Sequence, residues 1–261
     1  MNQLKLDAYT LKIIAIIGMF ANHAVITWWD IIPAWLAPIM YAAGGLTFPI
    51  MAYFVTEGYR HTRDLKKYIF RLVAVGAVAL PFHYIALGSI LGPQYPLFNI
   101  MFSIAFGLVL LMIYDRMKKK TLFWVLYVII VLPLSTFLLE WYFIGVTMIL
   151  MYHIIQNENR RRMMPAILAG VVWFLLSIMS RLSIAAMQAM EDAGIEVGVS
   201  LEGLIGDPAF INIMSTFTLG CILAALLLKA YNGERGKNAK WLFYAFYPLH
   251  LALLAGVAWL I

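Results

Sequence analysis

The chain reads as a succession of long apolar runs separated by charge clusters or Pro/Gly breaks. A membrane-crossing helix needs roughly 20 apolar residues. Runs of that kind lie at 9–29, 34–56, 67–88, 97–114, 121–137, 140–156, 164–181, 209–230 and 241–261. The predicted fold class is therefore all-α, a polytopic transmembrane helix bundle of about nine spans that makes one integral membrane domain over 1–261. The run from Thr121 to Gln156 is ambiguous by length. As one helix of 36 residues it would reach about 54 Å at 1.5 Å per residue, beyond a hydrocarbon core of about 30 Å. Pro133, Ser135, Thr136 and Glu140 offer a place to turn, so two short helices are expected. The first apolar run follows a nearly uncharged start without a small-residue cleavage site, and reads as an uncleaved span.

Composition agrees with this pattern. Of 261 residues, 64% are hydrophobic and 12% charged, against about 45–50% and about 25% in soluble domains. A soluble fold would have too few polar residues to cover its surface, whereas lipid accepts apolar side chains outside. The net charge of +6 then matters by position, and nucleic acid is not expected as a partner. With nine spans, the N-terminus cytoplasmic and the C-terminus outside, every Lys and Arg except Arg181 falls on the inner side. They lie near the start of the chain and in basic loops near 57–71, 115–120, 157–163 and 229–240. Fusing the fifth and sixth spans would push the Arg160 and Lys229 clusters outside, which favours the hairpin. An outer loop at 182–208 carries Glu191, Asp192, Glu196, Glu202 and Asp207. The lone Cys221 excludes an internal disulfide, and the five histidines lack HExxH spacing, so no metal is expected.

Ionisable residues inside a span need a partner, a cavity or a job. His23 lies about twelve residues into the first span, beside Asn22. It can pack against a carbonyl, or act as a general base with the Asn22 amide orienting it or holding an oxyanion. His250 follows Pro248, whose missing N–H frees the Tyr244 carbonyl, amid Trp241, Phe243, Tyr244, Phe246 and Tyr247. It is a second acid/base candidate, or part of a kinked aromatic belt. After the second span, helical spacing puts Glu57, Arg60 and His61 on one face, with Arg63, Lys66 and Arg71 following. Such a cluster suits phosphates, and it also suits a plain positive-inside anchor. Asn99 and Gln94 open the fourth span as cavity-lining or capping residues, and Arg181 can hold an anionic group or snorkel to headgroups. His83 and His153 read as interface residues, and Arg160–Arg162 as topology anchors.

The segments at 6–25, 48–72 and 98–111, the pair Pro81–Phe82, and FYAFYPLHLALL at 243–254 resemble the TraX family, named for the conjugative F-pilin acetylase, a bacterial membrane protein. EGYRHT at 57–62 combined with the FYxFYPxHL pattern is the specific part. The resemblance covers roughly the first 110 residues and the last 20, and marks His23, Glu57, Arg60, His61, Thr62, Arg71, Asn99, Tyr247, Pro248 and His250. The family commonly carries Asp before the first-helix histidine, where this chain has Asn22. The resemblance implies an acetyltransferase in the bacterial cytoplasmic membrane that takes acetyl-CoA as donor substrate and passes the acetyl group to an amine or hydroxyl at the outer side. On that expectation His23, Asn22 and His250 are catalytic. Glu57, Arg60, His61, Arg63, Lys66 and Arg71 hold the donor, and Asn99, Tyr247 and Arg181 meet the acceptor, whether peptide, glycan or small amine. Membrane lipids are the surrounding partner, and a homo-oligomer stays open. A proton-coupled transporter or flippase, with both histidines as relays, is the alternative, and an assembly subunit without turnover is the third.

Overall fold

The structure, a computed structural model, describes residues 5–88, 96–194 and 213–259. Gln94, Glu196, Glu202 and Asp207 lie outside the described residues. The described chain is helical, with two isolated bridges and no strand. We name the helices α1 (Ala8–Thr27), α2 (Ala37–His61), α3 (Leu65–His83), α4 (Ile100–Arg116), α5 (Lys120–Leu138), α6 (Tyr142–Ile154), α7 (Glu158–Asp192), α8 (Phe217–Lys229) and α9 (Lys240–Ala258). Six of them, α1, α2, α3, α5, α7 and α9, are long and apolar enough to cross a membrane, and α6 and α8 are shorter apolar helices. Large apolar side chains such as Phe70, Val78, Ile129, Phe137 and Leu182 stand exposed, as they would toward lipid. The α7 helix runs on to Asp192, so residues 182–192 of the expected outer loop are helical.

Local chemistry sets the boundaries. Asp7 caps α1 through Thr10 N at 2.7 Å and Asp64 caps α3 through Lys67 N at 3.0 Å. Each backbone hydrogen bond holds its aspartate below the ordinary value of 3.8. Pro81 precedes a π-turn at Tyr84–Gly88, and a second π-turn at Tyr127–Val131 sits just before Pro133, which withholds one ladder donor.

The long 121–156 run turns where its sequence suggests. Leu139 is extended, and Trp141 and Tyr142 take positive φ values of 68° and 49°. Tyr127 and Thr147 share a 2.6 Å hydroxyl contact across the resulting hairpin. The broken backbone is satisfied by another break: Phe98 N donates to Leu138 O at 2.8 Å, and Glu140 N donates to Phe98 O at 3.0 Å. Irregular backbone within an apolar bundle survives only with such partners.

Helix α1 packs on α2 and α9, α9 on α3, α3 on α4, and α4 on α6, which returns to α2. This ring encloses a cavity. Helices α7 and α8 pack beside it on α2, where Gly45 and Gly220 let backbones approach so closely that an added Cβ would collide with Phe217 O or Ala42 O.

Candidate functional site

Both intramembrane histidines are buried, and they meet. His23 Nδ1 lies 2.9 Å from His250 Nε2, with the rings stacked at 12° and 5.1 Å between centroids. The far nitrogen of His250, Nδ1, lies 3.0 Å from Phe246 O, one turn back on α9, and Phe246 stacks on the same ring at 4.7 Å. The far nitrogen of His23, Nε2, faces Glu140 Oε1 at 3.9 Å. Glu140 Oε2 accepts from the Ile100 amide at 2.8 Å, where the positive end of α4 favours an anion. The Ser103 hydroxyl donates to Glu140 O at 2.6 Å and fixes the turn. His83 is fully buried and within electrostatic reach of Glu140, His23 and His250. Four chain segments thus converge on one polar cluster in an apolar bundle.

Asn22 turns the other way. Its amide donates to Tyr41 O at 3.4 Å and its side chain lies over Gly44, so it faces α2 and neither orients His23 nor points into the cluster. Asn99 is fully buried and caps α4, accepting from Met101 N at 3.1 Å and donating to Gly76 O at 2.9 Å. Both ends of its amide are thereby engaged in holding α4, and with it the Ile100 amide, in place.

Below the cluster lies a cavity of about 620 Å³ bounded by α1, α2, α3, α4, α9 and the 231–239 segment. Its inner end is formed by Ile100, Phe246 and Tyr247, the residues that touch Glu140 and His250 or flank them on the same helices. The Tyr247 hydroxyl is buried there without a hydrogen-bond partner among the described residues. Toward the opposite end the lining turns cationic: Lys12, His61, Arg71, Arg235, Lys237 and Lys240, with Glu57 as the acid. None of these Lys or Arg side chains pairs with a carboxylate within 4.0 Å among the described residues. Arg71 Nε is buried without a hydrogen-bond partner. Phe54, Tyr68, Phe243 and Tyr244 form the walls between the two ends.

The expected donor cluster is therefore divided. Glu57, His61 and Arg71 line the cavity. Arg63 and Lys66 are exposed and outside the lining, and Arg60 is spent elsewhere, donating to His153 O at 3.1 Å and lying 3.6 Å from Glu57. Arg181 sits on α7, which contributes no residue to the lining, and donates to Ser215 at 3.2 Å. Among Arg160–Arg162, Arg161 is a buried tie: it bonds Glu57 at 2.7 Å, Glu158 at 2.6 Å and the Tyr53 hydroxyl at 3.2 Å, joining α7 to α2.

Glu140 and His83 are the cluster members that sequence reasoning passed over. Glu140 carried a signal, since it is an acid between two apolar runs, but turn residues are often acidic. Lys12, Arg235, Lys237 and Lys240 were visible only as inner-side charge. Their convergence on one mouth follows from the N-terminal segment clamping the 230–234 loop, with Leu6 N donating to Ala230 O at 3.0 Å and Ala8 N to Glu234 O at 2.9 Å.

The chain is similar to the probable fimbrial assembly protein FimC, serogroup H1, of Dichelobacter nodosus, at 28% identity over 258 residues, covering 95% of this chain and 94% of the relative. No solved structure matches it. The family described as TraX protein matches residues 7–258, which include His23, Glu140, His250 and every described residue of the cavity, and the chain belongs to the TraX family.

Proposed function

We propose that this protein is a membrane-embedded acetyltransferase that carries an acetyl group from cytosolic acetyl-CoA to an amine or hydroxyl at the outer side of a bacterial cytoplasmic membrane. One observation carries this reading: a single cavity leads from a cationic mouth to the foot of a buried His–His–Glu cluster. On this reading the chain crosses the membrane nine times with its N-terminus inside. The mouth then faces the compartment where acetyl-CoA is made.

The residues suit that donor. A polyphosphate head needs converging cations that are not already neutralised, which Lys12, Arg71, Arg235, Lys237 and Lys240 supply, and the unpartnered Arg71 Nε is a donor awaiting an anion. The aromatic walls suit a flat base and an apolar arm. A thioester brought to Ile100 and Tyr247 would sit beside the amide that holds Glu140 and one helical turn from His250, the partner of His23. His23 takes the proton of the attacking amine or hydroxyl, a role worth about 10²–10⁴-fold in rate. With Asn22 turned toward α2, the steadying of a developing oxyanion falls on this reading to the Tyr247 hydroxyl, a buried donor of a residue that lines the cavity. The relative's name makes a fimbrial subunit the first acceptor to try.

Thermal unfolding in nanodiscs with acetyl-CoA, CoA or ATP tests the donor site. A ligand at 100 times its Kd stabilises the native state by about 2.7 kcal/mol. We expect a shift with acetyl-CoA and CoA that ATP does not match and that Arg71→Ala reduces. No shift at millimolar acetyl-CoA would overturn the reading. The buried histidine row also suits a proton-coupled transporter or flippase. That alternative gains ground if proteoliposomes take up protons on adding a substrate while no CoA thiol is released.

A further inference from the structure

We propose that Glu140 is a positioning residue of the reaction, acting through His23 as the negative charge against which the protonated imidazole forms. This rests on the acetyltransferase reading above.

The hydrogen-bond row fixes the tautomers by elimination. Phe246 O can only accept, so His250 Nδ1 carries hydrogen and, in the neutral ring, His250 Nε2 is the lone pair. That lone pair lies 2.9 Å from His23 Nδ1, which must therefore carry hydrogen. Neutral His23 is left with its lone pair on Nε2, the nitrogen facing Glu140 Oε1 at 3.9 Å. The basic nitrogen of the row is thus the one beside the carboxyl, at a separation too long for a hydrogen bond and short enough for strong attraction once the nitrogen is protonated.

Glu140 is held as an anion would be. Its other oxygen accepts the Ile100 amide at the start of α4, and its backbone is fixed by Ser103 and Phe98. Among the described residues, the ionisable groups reaching it from the packed elements are His23 on α1, His83 on α3, Tyr142 on α6 and Tyr247 on α9, none of them a second carboxylic acid. Glu140 is the carboxylate of this cluster, and it comes from a turn that the Phe98 break holds in place.

The step balances as follows. The acceptor's lone pair bonds to the acetyl carbonyl carbon while its proton passes to His23 Nε2. The imidazolium donates from Nδ1 to His250 Nε2 and lies against the Glu140 carboxylate. When the tetrahedral adduct collapses, the C–S bond breaks, its electron pair leaves on sulfur, and the proton passes from His23 Nε2 to that sulfur to give the CoA thiol. Glu140 neither gains nor loses an atom.

The test uses full-length protein in nanodiscs, acetyl-CoA as donor and hydroxylamine as a small nucleophilic acceptor, with release of CoA thiol as readout. Glu140→Gln keeps an oxygen for the Ile100 amide, removes the charge and puts an amide NH2 where Oε1 faced His23. We expect it to lower kcat by about a hundredfold with KM for acetyl-CoA within twofold of wild type, and Glu140→Asp to recover at least a tenth of the wild-type rate. A purely structural role would raise KM, or would leave Asp no better than Gln. Either result overturns the proposal, as does a Gln variant within twofold of wild-type kcat. Wild-type protein that releases no thiol overturns the acetyltransferase reading itself, and this proposal with it. A wild type that turns over beside a fully active Gln variant removes only the role of Glu140.

Discussion

His23 and His250 are 227 positions apart and share a 2.9 Å contact between ring nitrogens. Each would be an expensive polar residue in an apolar helix, and each supplies the other's partner. Because Phe246 O sets the direction of the row, the pair is an oriented device with its free lone pair at His23 Nε2.

Replacing His23 with Gln should lower turnover by about 10²–10⁴-fold, the usual contribution of a general base. The thermal shift given by acetyl-CoA should survive, because the cavity lining does not include His23. Loss of that shift together with turnover would mean that the histidine holds the bundle and not the chemistry.

Two arginines that look equivalent in the sequence should behave differently. Arg71 borders the cavity with a buried, unpartnered Nε, whereas Arg60 already serves His153 O and Glu57. Arg71→Ala should weaken acetyl-CoA binding about 10- to 150-fold, since a charge-assisted hydrogen bond is worth about 1.5–3 kcal/mol. Arg60→Ala should leave affinity within twofold, as read by titrating the thermal shift.

The Arg161 tie should be costly to break. Its side chain is 5% exposed and joins Glu57 with Glu158. Removing one partner of a buried ion pair costs about 3–5 kcal/mol. With Glu158 at 46% exposure, water relieves part of that, and Arg161→Met should cost about 3 kcal/mol. Denaturation in mild detergent measures it, and a change under 1 kcal/mol would show the tie to be dispensable.

Gly220 sits where an added Cβ would strike Ala42 O and crowd Gly45. Gly220→Ala should force α8 off α2 and cost about 1–3 kcal/mol of overpacking. The same change at Gly256, whose surroundings are open, should cost much less. Equal effects would argue against close packing of α2 on α8.

Acid should loosen two helix starts. Asp7 and Asp64 titrate below 3.8 when folded, because each carboxylate accepts a backbone N–H. Their stabilisation is present above the unfolded value and is lost as the pH falls through the folded one. Asp7→Asn with Asp64→Asn keeps both caps and should flatten the loss of stability as the pH falls below the ordinary carboxylate value of 3.8. An unchanged acid limb would assign it to other carboxylates.

Hydropathy and charge alone determined that the chain is an all-helical, membrane-type bundle, and placed the break in the 121–156 run. Those properties depend on local spacing of apolar residues and on the cost of an unpaired backbone in lipid, both written into contiguous segments. The sequence also singled out His23 and His250, because intramembrane ionisable groups are rare. What it could not show was which residues meet. Glu140 became the histidines' neighbour because the breaks near Phe98 and Leu139 pair with each other. Asn22, adjacent to His23 in sequence, went to α2 because consecutive helical residues point about 100° apart. Arg71, Lys12 and Lys237 reached one cavity mouth while Arg63 and Lys66 did not. A loop charge is positioned by the contacts of the helices it joins, and those contacts are fixed only when the whole ring closes.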